Sequence, residues 1–302
     1  MYQAIKRTST PRYGMASMKV GFHVSIAGGI SNAVDNATKI GCTAFQIFSR
    51  NPRGWTAKAL DPKDVESFKN KLAESKIKQD SVIVHMPYLP NLSGISGQCY
   101  EKSVQTLGGE IIRCSTLGIS YLVIHLGSHM GQGRNAGISQ LVTAINTARK
   151  QAKSAERTHP VRILLENSAG QKNRVGSTFA DLRLILDALP DSQYGICLDT
   201  CHLFASGHDL RTNDSVDETL ADFDDSVGFD RLEFVHLNDS KGDLNSGLDR
   251  HEHIGLGSIG KTGLAAFLNH SAIKKLPKIM ETPIDERRGD EENMRTVLGM
   301  VK

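Results

Sequence analysis

The sequence predicts a (β/α)8 barrel, the TIM barrel of structural classifications. From residue 18 onward, eight short apolar runs of strand length alternate with longer segments of helical periodicity. Such alternation is typical of right-handed βαβ units around a parallel sheet, and eight units in roughly 250 residues is the usual size of this barrel. The chain has 302 residues, of which 39% are hydrophobic, so it can bury a core of that size.

The eight strand candidates are short, apolar and bounded by polar or turn-forming residues. They are 20–24, 44–48, 82–85, 121–125, 163–166, 195–199, 232–237 and 278–282. Helical periodicity is found between them, for example at 30–40, 62–75, 100–117, 138–155, 178–189 and 263–270. A doubly wound open sheet is the alternative, but that fold usually has a glycine-rich first turn, which Gly28-Gly29 matches poorly.

The N-terminal segment, the apolar runs and the cysteines restrict the class of protein to which this chain can belong. Residues 1–17 contain basic but no acidic residues and lack periodicity, so we expect a disordered tail followed by one domain of residues 18–302. No run of about 18 apolar residues occurs, which predicts no membrane span. The five cysteines are an odd number without framework spacing, which favours a reduced, cytoplasmic protein.

Side chains that can bind metal ions stand at or just after the ends of six consecutive predicted strands. They are His85, His125, Glu166, Asp199, His202, His236, Asp249, His251 and Glu281. Because the carboxyl ends of barrel strands open onto one face, we expect all nine side chains to meet there. Five imidazoles and four carboxylates would be costly to bury together without cations.

This donor set indicates two or three divalent ions rather than one. Imidazole and carboxylate ligands without thiolate suit zinc or manganese, and clustered ions roughly 3.5–4 Å apart are typical of phosphoester hydrolysis. Cys197 and Cys201 lack a CxxC pattern and are interpreted as packing residues. Basic residues after strands two and five are expected to form a rim that attracts phosphate. These are Arg50, Arg53, Lys58, Lys172 and Arg174.

Several motifs resemble the endonuclease IV family of zinc-dependent apurinic/apyrimidinic (AP) endonucleases. They are Leu-Leu-Glu-Asn-Ser-Ala-Gly at 164–170, Tyr-Gly-Ile-Cys-Leu-Asp-Thr-Cys-His at 194–202, and His-Leu-Asn-Asp-Ser-Lys at 236–241 running on to Asp-Arg-His at 249–251. The stretches 21–29 and 48–55 are also similar to the family. The resemblance extends from Met18 to near the end of the chain and implies a xylose-isomerase-like barrel.

The resemblance also implies how three zinc ions per chain, with manganese possible in some sites, would be held. His85 and His125 would hold one ion and share Glu166 with the second, which Asp199, His236 and Glu281 complete. The third would be bound by His202, Asp249 and His251. Glu166 as the bridge and Glu281 as the residue that also positions the nucleophile are the expected catalytic residues.

The activity implied by the resemblance is hydrolysis of the phosphodiester 5′ to an abasic site in duplex DNA. A metal-bound hydroxide would leave a 3′-hydroxyl and a 5′-deoxyribose phosphate, and blocked 3′ ends would also be trimmed. Arg53, Tyr88 and Leu89 match the positions that enter the damaged duplex. His23, Asn167 and Asp239 are expected to support the metal ligands through hydrogen bonds. We expect a monomer associated with the nucleoid through DNA.

Two other functions remain compatible with parts of the pattern. A metal-dependent sugar isomerase or epimerase would share the barrel but needs only one or two ions. A DNA-binding protein with structural metal sites would be expected to use cysteines close together in sequence, whereas these donors extend from His85 to Glu281.

Overall fold

The computed structural model describes residues 18–189 and 193–301, and the tail predicted for residues 1–17 lies outside them. Eight parallel strands form the barrel. They are β1 (Val20–Phe22), β2 (Phe45–Phe48), β3 (Val82–His85), β4 (Tyr121–His125), β5 (Arg162–Glu166), β6 (Tyr194–Asp199), β7 (Leu232–His236) and β10 (Lys278–Met280). The order around the sheet is β1-β10-β7-β6-β5-β4-β3-β2. A parallel bridge between His23 and Gln46 closes the ring between β1 and β2. The predicted (β/α)8 barrel is therefore confirmed.

The helices lie mainly in the connections between barrel strands. They are α1 (Asn32–Ile40), α2 (Pro62–Glu74), α3 (Gln98–Leu117), α4 (Arg134–Glu156), α5 (Phe179–Ala188), α6 (Thr200–Ala205), α7 (Asn213–Ser226), α8 (Gly260–Asn269) and α9 (Asp290–Leu298). Two of them show common capping interactions at their ends. Asp61 caps α2 by accepting from the Lys63 N–H, and Gly41 ends α1 with a φ of 85°. Among these helices, none is long and apolar enough to cross a membrane.

Some predicted element bounds were wrong. The last barrel strand ends at Met280 rather than at residue 282, so Glu281 lies just beyond it. The predicted helices 30–40, 100–117 and 138–155 begin at Asn32, Gln98 and Arg134. Sequence periodicity also missed the antiparallel pair β8 (Asp239–Ser240) and β9 (His251–Glu252), since two-residue strands are too short to show alternation.

A layer of side chains fills the barrel below the carboxyl ends of its strands. Seven buried residues, one from each of seven strands or the residue preceding them, form a separate apolar cluster. They are Ala44, Ile83, Val123, Leu164, Cys197, Phe234 and Ile279. The remaining strand, β1, contributes Gly21, which pairs in register with Ile279. A Cβ at Gly21 would lie 1.7 Å from the Ala44 carbonyl oxygen, so only glycine fits there.

This contact predicts opposite effects of two glycine substitutions. Gly21→Ala forces the backbones at positions 21 and 44 apart and should lower the free energy of unfolding by about 1–3 kcal/mol. In contrast, a Cβ at Gly109 in α3 meets nothing within 4 Å. Gly109→Ala should therefore stabilise the chain by about 0.5–1 kcal/mol. Urea unfolding of the two variants checks both signs, and a neutral Gly21→Ala would refute the close approach.

Candidate metal centre

The floor of the candidate centre is the next inward-facing layer of the barrel. Side chains two residues apart on a strand point to the same side. Two positions beyond the apolar layer, the eight strands therefore present one ring of side chains. Its members are His23, Gln46, His85, His125, Glu166, Asp199, His236 and Glu281. Six of the nine predicted ligands belong to this ring, which explains why residues so far apart in sequence meet.

The other three predicted ligands come from the connections above the ring. Asp199 caps the short helix α6, because its Oδ1 accepts from the His202 N–H at 2.8 Å, and this turn brings His202 back over the barrel. Asp249 and His251 lie on the β8–β9 hairpin, which is held by a 2.9 Å bond from the Lys241 N–H to the Arg250 carbonyl. All nine predicted ligands thus lie around one pocket.

Glu166 is at the middle of the nine donors. Its Oε2 lies 3.0 Å from His125 Nδ1 and 3.2 Å from His85 Nε2. Its Oε1 lies 2.7 Å from His236 Nδ1. The two oxygens of one buried carboxylate therefore face two different sets of donors, which is the geometry of a bridging ligand.

Donor atoms within 4.8 Å of one another define three groups that match the predicted sets. The first group contains His85, His125 and Glu166, and the second contains Glu166, Asp199, His236 and Glu281. The third contains His202, Asp249 and His251, with Nε2 of His202 lying 3.1 Å from Asp249 Oδ1. Two further combinations, one of them including Cys201, overlap these groups.

Backbone carbonyls turn three imidazoles so that Nε2 faces the pocket. Nδ1 of His85 bonds to the Met86 carbonyl at 2.7 Å, Nδ1 of His202 to the Asn167 carbonyl at 2.9 Å, and Nδ1 of His251 to the Glu281 carbonyl at 3.1 Å. A carbonyl only accepts, so Nδ1 donates to it in each of these rings and Nε2 is the nitrogen that faces the pocket. Nε2 of His202 and Nε2 of His251 are buried without a hydrogen bond, although Nε2 of His202 lies 3.1 Å from Asp249 Oδ1. Buried ring nitrogens without a hydrogen-bond partner are suitable ligands for a metal ion.

Gln46 is a functional residue that the sequence analysis missed. Its Oε1 lies 2.9 Å from His236 Nε2, so the imidazole donates there and leaves Nδ1 for the pocket. Its Nε2 donates to Glu281 Oε1 at 2.7 Å. Gln46 therefore orients two predicted ligands at once. The sequence could have revealed this position. Alternate residues of a strand point to the same side, and Gln46 stands two residues after Ala44, so it faces the inside of the barrel together with the predicted ligands.

The supporting residues predicted from sequence divide into two cases. Asn167 exchanges hydrogen bonds with the backbone of Asp199, and His23 contacts Gln46 at 2.9 Å and lies 3.8 Å from Glu281. The expectation for Asp239 needs correction. Its carboxylate accepts from backbone N–H groups of residues 240, 255, 257, 259 and 260, so it fixes the loop before α8 and contacts no predicted ligand directly.

Asn238 supports the centre where Asp239 does not. It is fully buried, and its Nδ2 donates to Asp199 Oδ2 at 2.7 Å while its Oδ1 accepts from the Glu281 N–H at 2.8 Å. The Thr200 hydroxyl donates to the Asn238 carbonyl at 2.6 Å. The sequence offered no signal for this role, since nothing in the local pattern distinguishes Asn238 from its neighbour Asp239.

The electrostatics of the pocket favour added positive charge. Burial alone would lower the pKa of His202, but Asp199, Asp249 and Glu166 outweigh it and raise that pKa to about 10. Burial likewise opposes ionisation of Glu166, yet His125 and His236 hold its pKa well below the ordinary value. The Glu166 carboxylate is therefore ionised, and the pocket attracts either protons or metal ions.

Of the three predicted DNA-contacting residues, Tyr88 lines this pocket, and Leu89 follows it in the chain. Tyr88 is 64% exposed and Leu89 is 43% exposed, so both side chains are accessible to a ligand. A cavity of about 460 Å³ over the donors is lined by Tyr88 and by the basic residues Arg174 and Arg250. Arg53 is exposed on the loop after β2. Arg50, expected on the basic rim, is instead buried against Glu110 and cannot face a ligand.

Comparison with known proteins agrees with this arrangement. The family model described as a xylose isomerase-like TIM barrel matches residues 34–302. The protein called probable endonuclease 4 in Nitrosopumilus maritimus is 53% identical over 279 residues, which cover 92% of this chain and 98% of that protein. The chain belongs to the endonuclease IV family. Membership in this family makes it an enzyme, a metal-dependent hydrolase that acts on DNA.

Solved structures of relatives support the same assignment. Endonuclease IV from Thermus thermophilus superposes with a TM-score of 0.82 at 36% identity, covering 93% of this chain and 98% of that one. A D-tagatose 3-epimerase-like protein superposes with a TM-score of 0.68 at 18% identity and 93% and 96% coverage, a likeness that shows the fold alone. The resemblance to the endonuclease IV family inferred from motifs is thus confirmed.

The contacts of Gln46 predict a specific effect on metal affinity. Gln46→Leu removes the partner of His236 Nε2 and one partner of Glu281, so the imidazole can turn and zinc should bind about 10–100-fold more weakly. Competition with a chromophoric chelator measures this affinity. Gln140→Leu, which removes a half-buried glutamine bonded to Ser96, is the matched control. Equal zinc affinity in the two variants would contradict the orienting role.

The raised pKa of His202 predicts how stability depends on pH when metal is removed. The pKa of His202 is about 10 in the folded chain and 6.5 for an ordinary histidine, so the protonated ring stabilises the fold fully below pH 6.5. This contribution is lost as pH rises toward 10. The urea midpoint of chelator-treated protein should therefore fall across this window, and less so for zinc-loaded protein.

The variant His202→Asn isolates this effect from other titrating groups. Treated with chelator, it should show a smaller decrease of the midpoint over the same pH range than the parent chain does. Parallel curves for the two chains would show that the carboxylates around His202 do not stabilise its charged form.

Proposed function

We propose that this enzyme hydrolyses the phosphodiester on the 5′ side of an abasic site in duplex DNA, leaving a 3′-hydroxyl and a 5′-deoxyribose phosphate. The observation that carries the proposal is the set of three neighbouring donor groups, two of which share Glu166. Zinc ions bound there supply Lewis acidity toward the phosphate and a nucleophile at neutral pH. The same chemistry would trim blocked 3′ ends, because both reactions break a phosphoester at a 3′-oxygen.

Three zinc ions fit the proposal best, with manganese possible in some positions. Nine nitrogen and oxygen donors without a thiolate match these metals. His85, His125 and Glu166 would hold the first, Glu166, Asp199, His236 and Glu281 the second, and His202, Asp249 and His251 the third. Binding should release protons from the histidines, so occupancy is expected to fall in acid.

Glu281 has a second task in this proposal. Burial would raise its pKa, but His236, His23, His85 and His251 hold the value well below the ordinary one, so the carboxylate is ionised at neutral pH. Gln46 holds the Glu281 carboxylate by donating a hydrogen bond to its Oε1, and Asn238 holds the backbone of Glu281 by accepting a hydrogen bond from its N–H. An ionised, oriented carboxylate can accept a hydrogen bond from the attacking water and align it with phosphorus.

Recognition of the lesion requires the abasic sugar to leave the helix and reach the recessed donors. Tyr88 and Leu89 are apolar and exposed beside the pocket, and they suit insertion into the gap in the duplex. Tyr88 is supported from behind by Phe48, whose ring centroid lies 5.2 Å away. Arg53 would enter from the loop after β2, and Arg174 and Arg250 would contact phosphate. Residues 18–302 are proposed to act as one domain, as a monomer associated with the nucleoid through DNA.

Incision of a duplex that carries one abasic site tests the proposal. A labelled strand should be cut on the 5′ side of the lesion, and a chelator should abolish the cut until zinc is restored. An undamaged duplex of the same sequence should remain intact under these conditions. Turnover of a free ketose, without incision of DNA, would favour a sugar isomerase or epimerase instead.

The role of Glu281 predicts a separation of binding from cutting. Glu281→Gln keeps the size of the side chain but loses its charge, so kcat should fall roughly 10²–10⁴-fold while binding to the damaged duplex persists. Glu286→Gln removes a charge from an exposed residue of the same loop and should cut normally. Single-turnover incision and gel-shift assays measure the two properties. A Glu281→Gln chain that cuts at a near-normal rate would refute the role.

A further inference from the structure

The segment after β2 has no helix or strand, yet it is firmly attached to the barrel. We call residues 49–58 the β2 loop. Its turn carries Arg53, whose N–H donates to Asn51 Oδ1 at 3.0 Å. The Arg53 side chain is exposed, and among the residues that the structure describes it has no hydrogen-bond or ion-pair partner. The backbone of this turn is thus ordered around a side chain that is left free.

Two residues of α3 hold the beginning and the end of the β2 loop. The Ser49 hydroxyl donates to Glu110 Oε2 at 2.6 Å. Arg113 Nε donates to Ser49 Oγ at 2.7 Å, and the same guanidinium bonds to the Ser49 carbonyl. Arg113 Nη1 also donates to the Lys58 carbonyl at 2.9 Å. Glu110 and Arg113 are three residues apart, so they share one face of the helix.

Arg50 fastens the middle of the loop from inside. Its Nη2 donates to the carbonyls of Gly54 and Trp55 at 2.8 and 2.7 Å, directly after Arg53. Its Nε lies 3.7 Å from Glu110 Oε1. The side chains of Arg50 and Glu110 are 7% and 0% exposed. One buried carboxylate therefore compensates both guanidinium groups that tie down the turn.

The cost of this arrangement indicates a purpose other than stability. Buried ion pairs repay their desolvation only in part, and an apolar replacement often leaves a protein as stable or more so. Arg50 Nε and Glu110 Oε1 also lack a hydrogen bond although both are buried. What the network does achieve is to tie several points of a loop without secondary structure to α3 and to one another.

We propose that Glu110 is a positioning residue for the DNA contact of Arg53. Through Ser49, Arg50 and Arg113 it holds the β2 loop in the conformation that presents Arg53 to the duplex before DNA arrives. Because the loop is already ordered, the free energy of ordering it does not reduce the affinity for DNA. This inference rests on the proposed function and adds to its machinery a residue that does not line the metal pocket.

Glu110→Gln tests the inference, because it keeps the shape and removes the charge that balances two arginines. We expect KM for the abasic duplex to rise at least about tenfold. We also expect kcat to stay within about twofold and zinc content to remain unchanged. Hydrogen exchange should accelerate in residues 49–58 and not in β5. An unchanged KM overturns the inference.

A double-mutant cycle with Arg53→Ala separates positioning from general damage. Arg53→Ala alone should raise KM, and adding Glu110→Gln to it should raise KM by no more than about twofold. Equal effects of Glu110→Gln in both backgrounds would mean that it does not act through Arg53. Such a result would overturn the inference.

Glu233→Gln is the matched control. Glu233 pairs with Arg162 at 2.6 Å, near the opposite end of the barrel, and its loss should leave KM unchanged. A rise in KM equal to that of Glu110→Gln would mean that the loss of any such pair has this effect, and would overturn the inference.

If Glu110→Gln does not fold, Ser49→Ala keeps all the charges and removes one hydroxyl. Its KM should rise about threefold or more, as expected from the loss of a hydrogen bond to a charged group. An unchanged KM would again overturn the inference. If the wild-type chain does not cut the abasic duplex, the proposed function itself fails. If it cuts and the variants behave normally, only the role of Glu110 fails.

Discussion

The buried carboxylate of Glu166 is the group on which the rest of the site depends. It is fully enclosed, and histidines from β3, β4 and β7 lie within 3.2 Å of its two oxygens. A charge so deep in a protein requires compensation at short range. The barrel supplies the geometry, because its strands bring one inward-facing side chain each to the same level. The donors, their supporting amides and the rim loops are arranged around this point.

Much of the candidate site could be predicted because the chemistry follows strand periodicity. His85, His125, Glu166, Asp199 and His236 end five strands, and parallel strands of a barrel open onto one face. The motifs that contain Glu166, Asp199 and His236 also carried the resemblance to the endonuclease IV family, which the relatives confirm. The prediction of fold needed only the alternation of elements, since that pattern is set by backbone geometry and burial.

What was not predicted depends on side-chain direction and on short elements. Gln46 was overlooked because its place in an apolar strand is typical of a core position, although it contacts both His236 and Glu281. Asp239 was assigned to the support of the ligands, while its neighbour Asn238 is the one that contacts them. Arg50 was placed on the rim, but burial against Glu110 turns it inward. Such choices are decided by contacts between residues that are distant in the sequence.

The account claims that three ions share one pocket and that Glu166 bridges two of them. Crystals grown with zinc, measured at the zinc absorption edge, test this most directly. We expect three anomalous peaks within the pocket, two of them bridged by Glu166 and the third coordinated by His202, Asp249 and His251. A single peak, or peaks away from Glu166, would contradict the claim.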